Sequence, residues 1–153
     1  VYIHVSMPNP APASGEICLC AALRRASRAA TRLYDERMKS SGLKVTQFSL
    51  LRNIGRVGAI NVTDLANRLD LERTALGRNL DLLERKGLIR TRGVEGDQRT
   101  RLIELTEQGR KAEAAAVPHW RKAQSEMRRR LGKGEFGALG AVLAEMGGAT
   151  DSI

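Results

Sequence analysis

Four arginines, Arg90, Arg92, Arg99 and Arg101, flank a glycine- and acid-containing stretch in "RTRGVEGDQRTRLIELT", residues 90–106. A guanidinium is always charged and carries its donors in a planar fork, so the chemistry on offer is recognition of phosphates and base edges, not proton transfer. A second set of such donors precedes it in "RTALGRNLDLLERKG". At about 100° per residue, Thr74, Arg78, Asp81 and Arg85 form one stripe of a helix with Gly77 at its edge, and Leu76, Leu80 and Leu83 form the opposite stripe. Arg78 suits bidentate bonding to guanine, and Thr74 suits a base or phosphate near the helix start. Gly77 removes a side chain where backbone would approach backbone. Arg73 and Asn79 lie on the flanks, where phosphate contact is the better match. Taken alone, the same helix also reads as an ordinary amphipathic helix with a solvated charged face.

The elements that must position these groups are legible in the periodicity. "ICLCAALRRASRAATRLYDERMKSSG" repeats Ile17, Leu19, Leu23, Ala26, Ala30, Leu33 and Met38 near helical spacing and ends in Ser-Ser-Gly, which predicts one long helix. Thr46 is the expected cap of a helix with Phe48, Leu51 and Ile54 on one face, and "VGAIN" breaks that pattern. Thr63 is the expected cap of a short helix burying Leu65, Ala66 and Leu69. "DLER" then turns into the helix of Thr74 and Arg78, the order of a helix-turn-helix whose second helix enters a DNA major groove. After it, "IRTR" and "RLIEL" read as strands joined by "GVEGDQ". Arg92, Arg99 and Arg101 cluster at the strand ends nearest the tip, where a wing inserts an arginine into a narrow minor groove of negative potential. Asp97, two residues before Arg99, is expected to steady that guanidinium by a charge-assisted hydrogen bond.

The flanks predict assembly. Thr106 begins a long basic helix that Pro118 kinks or divides. The last helix repeats Phe136, Leu139, Leu143 and Met146 with little charge around them. Such a stripe needs a partner, and pairing it with the first helix in a two-fold dimer would supply one and match two half-sites about one helical turn apart. Cys18 and Cys20 make a C-x-C near the start of the first helix. Two positions apart on a helix they point about 200° away from each other, which disfavours a mutual disulfide or a shared metal. The plain reading is small apolar residues at a dimer interface; the sharper one is a peroxide or thiol sensor with only Arg24 and Arg25 nearby to favour a thiolate.

A net charge of +9 favours an anionic partner, nucleic acid before a membrane surface, because the basic helices have no aromatic anchor row. Residues 70–105 are nearly balanced in charge, so pattern, not bulk charge, locates the reader. The length suits one domain, and no stretch is long and apolar enough for a membrane span or has the form of a secretory signal. A cytoplasmic protein is expected, with Met7 a plausible start and residues 1–15 a flexible arm. With two histidines, no glycine-rich phosphate loop and no cluster of metal-site spacing, no enzyme, metal or cofactor is expected.

Residues 63–110 resemble the winged helix-turn-helix of the MarR (multiple antibiotic resistance regulator) family of bacterial transcription factors. The most specific pieces are "LERKGLI", "DQR" where the family often has Asp-Arg-Arg, and "IELTEQG"; Gln98 is the departure. The likeness extends over residues 16–147. It implies a mainly α fold with a small β-wing, with a reading lobe over 45–105 and helical dimerisation regions over 16–44 and 106–153, all in one domain over 16–153. It further implies a homodimer on a pseudo-palindromic double-stranded DNA operator, with Arg73, Thr74 and Arg78 at the major groove and Arg99 in the minor groove. Thr63, Gly77, Asn79, Arg92, Asp97 and Arg101 complete the expected DNA-binding set. A repressor relieved by a small aromatic acid is the expected mode, with Arg32, Tyr34, His119 and Trp120 as candidate ligand residues between the dimerisation helices and the reader. Oxidant sensing through Cys18 and Cys20, or a winged helix used for nucleoid or protein contacts, are the alternatives.

Overall fold

The computed structural model describes residues 17–147, so the arm expected over residues 1–15 lies outside the described residues. Among the described residues the chain forms α1 (Leu19–Met38), a 3₁₀ turn (Lys39–Ser41), α2 (Val45–Val57), β1 (Ala59–Asn61), α3 (Val62–Leu69), α4 (Arg73–Arg85), β2 (Ile89–Val94), β3 (Asp97–Leu105), α5 (Glu107–Leu131) and α6 (Lys133–Gly147). This is a winged helix-turn-helix set between terminal helices, mainly α with a small antiparallel sheet, as the residue pattern predicts.

The core lies under the reading elements. Phe48, Leu51 and Ile54 from α2, Leu65 from α3, Leu76 and Leu83 from α4 and Ile103 from β3 are all less than 2% exposed. Each such side chain contributes about 1.5–3 kcal/mol by leaving water. The predicted faces of α2 and α4 are therefore the buried ones.

The helix starts differ from expectation. Thr46 does not cap α2, which begins at Val45. The backbone N–H of Val45 donates to Asp35 Oδ1 of α1 at 2.8 Å, and that of Lys44 donates to Gln47 Oε1 at 3.2 Å. The cap is thus tertiary, and Thr46, already inside the helix, has no orphan donor to meet. Thr63 does not cap α3 either. Asn61 does, its Oδ1 accepting the N–H of Asp64 at 2.8 Å while its amide donates to Asp64 Oδ2. Two residues earlier in extended conformation, Asn61 has the geometry that Thr63, in the first helical turn, lacks.

"VGAIN", expected only as a break, contains β1, which pairs antiparallel with β3 through Ala59 opposite Glu104, Ile60 opposite Ile103 and Asn61 opposite Leu102. The sheet order is β1-β3-β2, leaving β2 at an edge. The wing is longer than predicted: β2 reaches Val94 and β3 begins at Asp97, with a register shift at Gly93 and Val94 absorbing the irregular residues. Glu95 and Gly96 alone make the turn, Gly96 with φ of +81°.

At the far end of the wing, α4 stops at Gly87, whose φ of +70° lets Leu88 N–H reach Leu83 O at 3.0 Å. Thr106 caps α5 as expected, accepting the N–H of Gly109 at 2.9 Å and donating to Gly87 O at 2.6 Å. A Cβ on Gly109 would come within 1.8 Å of Leu88 O, so α5 crosses the root of the wing where only glycine fits. Helix α5 then continues through Pro118 as one helix of 25 residues, undivided there.

Candidate nucleic-acid interface

Helix α3 ends at Asp70 in the left-handed region (φ 49°, ψ 47°), a conformation aspartate tolerates better than most residues, and Leu71 N–H closes on Ala66 O at 3.0 Å. That compact stop turns the chain into α4. With Leu76, Leu80 and Leu83 buried below, α4 presents Arg73, Thr74, Arg78, Asp81 and Arg85 to solvent. Thr63 is exposed near the start of α3. Gly77 has nothing within 4 Å of where a Cβ would stand, so the helix face is open there. Asn79 is half-buried, and its amide donates to Ala75 O at 3.1 Å, leaving its carbonyl oxygen as the group turned elsewhere. Arg73 and Arg78 have no hydrogen-bond or ion-pair partner among the described residues.

The wing's arginines divide into two pairs. Glu104 takes both Arg90, at 2.7 Å, and Arg92, at 3.4 Å, as the pairing of Arg90 with Glu104 across the ladder dictates. Those bonds, Arg90's first, hold the Glu104 carboxyl below its usual range. Arg99 and Arg101, on the opposite strand, are exposed and have no partner among the described residues. Asp97 does not hold the Arg99 guanidinium. Its Oδ1 accepts the backbone N–H groups of Arg99 at 2.8 Å and Thr100 at 3.2 Å. The tight turn aims those two amides at the nearest carboxylate, a shorter reach than a long, extended side chain offers. With the Thr100 hydroxyl as the leading cause and these amides after it, the Asp97 carboxyl is pulled below its ordinary value. The carboxylate therefore stiffens the wing tip and leaves both arginines unspent.

A side-chain hydrogen bond ties helix to wing. Thr91 N–H, on the edge strand, donates to Glu84 Oε1 of α4 at 3.1 Å. Sequence reasoning missed Glu84 and Glu104. Cross-strand charge pairing would have flagged Glu104 had the register been known; Glu84 carries no local signal.

The comparisons with known proteins fall on this same arrangement. A family model described as "MarR family" matches residues 41–100. The transcriptional regulator MosR of M. tuberculosis, solved in complex with DNA, is 38% identical, covers 87% of this chain with 96% of its own, and superposes with a TM-score of 0.77. The chain belongs to the MarR family. Two curated relatives are more distant or match less of their length. The HTH-type transcriptional regulator PecS of Dickeya dadantii is 32% identical over 90 residues, 57% of this chain and 54% of the relative. The HTH-type regulator YdgJ of Bacillus subtilis is 28% identical over 106 residues, 69% and 65%. The chain thus spans a little over half to just under two thirds of these curated relatives.

The MarR-family core also holds the remaining candidate residues, though not at one place. Trp120 packs on Phe48 with ring centroids 6.0 Å apart, and His119 Nδ1 lies 3.1 Å from Ser40 Oγ. Tyr34 donates to Gln124 Oε1 at 2.7 Å, and burial pushes its phenol up against the opposing effect of Arg128. Arg32 lines a cavity of about 440 Å³ with Ala29, Leu33, Glu36, Arg37 and Arg130, away from Trp120's contact with Phe48. Cys18 and Cys20 are free and exposed. Cys18 stands at the N-cap with ψ of 101°, outside the helix, so the opposed geometry expected of two helical positions does not apply. Among the described residues no group of three or more metal-ligating side chains occurs, and no helix is long and apolar enough to cross a membrane.

Proposed function

We propose that the protein is a sequence-specific regulator of transcription that binds double-stranded DNA as a homodimer. Helix α4 enters the major groove and the β2–β3 wing reaches the flanking minor groove. The observation that carries this reading is the pairing of two exposed, unspent arginine sets, Arg73 with Arg78 on α4 and Arg99 with Arg101 on the wing, on elements joined by Glu84 and Thr91. MosR, similar over most of its chain, was solved bound to DNA. Thr74 and Arg78 read base edges, Arg73, Asn79 and Thr63 meet phosphate, and Arg99 and Arg101 take the minor groove. Homodimerisation is supported by the terminal helices: Ile17 and Leu19 near the start of α1, and Leu139, Val142, Leu143 and Met146 on α6, are all 41–74% exposed. A duplex selected from a random pool and its scrambled version, titrated with salt, test the reading. Affinity for both falls with salt, and the selected duplex keeps its advantage throughout; equal affinity at every salt concentration would leave only a coat protein.

Repression relieved by a small effector is the regulatory mode we favour. Trp120 of α5 rests on Phe48 of the reader, so a ligand that shifts α5 also shifts the spacing of the two recognition helices. Operator affinity measured with and without salicylate probes this for aromatic acids. A second reading, oxidant sensing, gains support from the non-helical, exposed Cys18 two residues from exposed Cys20. Peroxide would take two electrons from the thiols, form the Sγ–Sγ bond and leave as water; mass loss of two hydrogens together with lost operator affinity, reversed by dithiothreitol, is the expected result.

A further inference from the structure

Helix α4 holds one charged group that the proposed DNA contacts do not use. Asp81 is exposed on the outward face of α4, on the stripe that also carries Thr74, Arg78 and Arg85. Arg78 stands three residues before it and Arg85 four after, spacings at which helical ion pairs form, yet Asp81 has no hydrogen-bond or ion-pair partner among the described residues. In the free protein this carboxylate is poorly placed. Aspartate is among the weaker helix formers, and Asp81 lies about one turn from the C-terminal end of α4, where the helix dipole disfavours a negative charge. Against a duplex it is worse placed still, because a carboxylate accepts hydrogen bonds and donates none, so every phosphate it faces repels it.

The position is nonetheless one from which bases are read. Thr74, Gly77, Arg78 and Asp81 stand at i, i+3, i+4 and i+7, a spacing at which a helix lying in a major groove presents side chains to base edges. Gly77, about one turn before Asp81 on the same edge, has nothing within 4 Å of where a Cβ would stand, so α4 can approach closely enough for a side chain as short as aspartate's. That groove displays two kinds of base donor, the cytosine N4 amino group and the adenine N6 amino group. On adenine the acceptor N7 adjoins the amino group and repels the second carboxylate oxygen, whereas cytosine shows no acceptor on that edge. We infer that Asp81 is a specificity-determining residue that accepts a hydrogen bond from N4 of one cytosine in each half-site. This rests on the proposed DNA-binding function and deepens it. Asp81 stands about 4.5 Å along the helix axis from Arg78, between one and two base-pair steps for a helix lying along the groove, so the cytosine falls one or two steps from the guanine taken by Arg78.

The unaltered full chain, Asp81→Ala and Asp81→Asn each select duplexes from one random pool, and Arg78→Ala, run beside them, marks the position of its guanine. The unaltered chain should return an inverted repeat with a fixed cytosine in each half-site, one or two steps from that guanine. Asp81→Ala should keep the half-site spacing and the other fixed bases but lose the preference for cytosine. Asp81→Asn should prefer adenine there, since an amide both donates to N7 and accepts from N6. A duplex whose cytosine is replaced by its analogue without the N4 amino group keeps the paired guanine and removes only the donor. The unaltered chain should bind it about tenfold more weakly than the selected duplex. Asp81→Ala should bind both duplexes equally, whereas an aspartate that only shapes the helix would leave the tenfold difference in place. A motif that persists base for base in both variants would overturn the role of Asp81 and leave the DNA-binding reading standing; no motif from the unaltered chain would overturn both.

Discussion

The reading lobe and the terminal helices of this chain are built on opposite terms. From α2 to β3, apolar residues fall on one face of every element, and those faces meet: Phe48, Leu51, Ile54, Leu65, Leu76, Leu83 and Ile103 are sealed. In α1 only Met38 is buried, and in α6 no residue is. The contrast separates what the chain satisfies alone from what the proposed homodimer assigns to a second copy. A lobe with its own core keeps α4 and the wing in fixed relation, while in the proposed dimer the exposed apolar residues at the start of α1 and along α6 set the distance between two such lobes. The α1–α5 contact stands between the extremes. It includes polar bonds between the two helices, Arg37 to Glu126 and Tyr34 to Gln124, with Glu126 also taking Arg130 of its own helix.

The largest expected effect breaks the assembly side. Leu143→Glu puts a charge on the exposed stripe of α6; sedimentation should show monomer, and operator affinity should fall about a hundredfold or more as the second half-site grip is lost. The reading lobe's own unfolding transition should survive. On the other side, Leu76→Ala empties a sealed position under α4. Chemical denaturation should show a loss of about 2–5 kcal/mol in stability, with the dimer otherwise retained. If the two variants traded places, Leu143→Glu unfolding the lobe and Leu76→Ala dissolving the dimer, the division would be wrong.

A smaller change sharpens the recognition half. Arg78→Ala should cost about 1–3 kcal/mol in operator binding and relax preference at one guanine. Arg92→Ala, whose arginine Glu104 already shares, should cost less than Arg99→Ala in the same binding assay. The smallest effect concerns the α1–α5 contact. The Arg37 hydrogen bond, with help from Arg130, holds the Glu126 carboxyl below the usual carboxylate range. Its folded-state value is depressed, so its contribution is fully present above the unfolded value and is lost as pH falls through the folded one. Thermal stability of Glu126→Gln and the unaltered chain should therefore converge as the solution is acidified and separate toward neutrality.

Much of this is legible in the amino-acid sequence. The leucines of α4 and the Leu-Thr-x-x-Gly at its far side have strong periodicity or unusual composition, and they place the recognition helix, its wing and the Thr106 cap. What escaped did so for identifiable physical reasons. β1 is three residues long, too short for alternation to register, and exists only because β3 pairs with it. The α2 cap comes from Asp35 on another helix, so no local pattern records it. Asn61 and Thr63 are both competent caps two residues apart, and the choice follows backbone conformation rather than residue type. Asp97 has the right charge to hold Arg99, yet the turn brings two backbone amides to it first.

The central claim, that two copies present paired helices and wings to one duplex, is tested most directly by sequencing the double-stranded DNA the protein retains from a random pool. The account predicts an inverted repeat with half-site centres about one helical turn apart, 10–10.5 base pairs, flanked by A·T-rich steps. Retained sequences with no symmetry, or no enrichment over the starting pool, would contradict it.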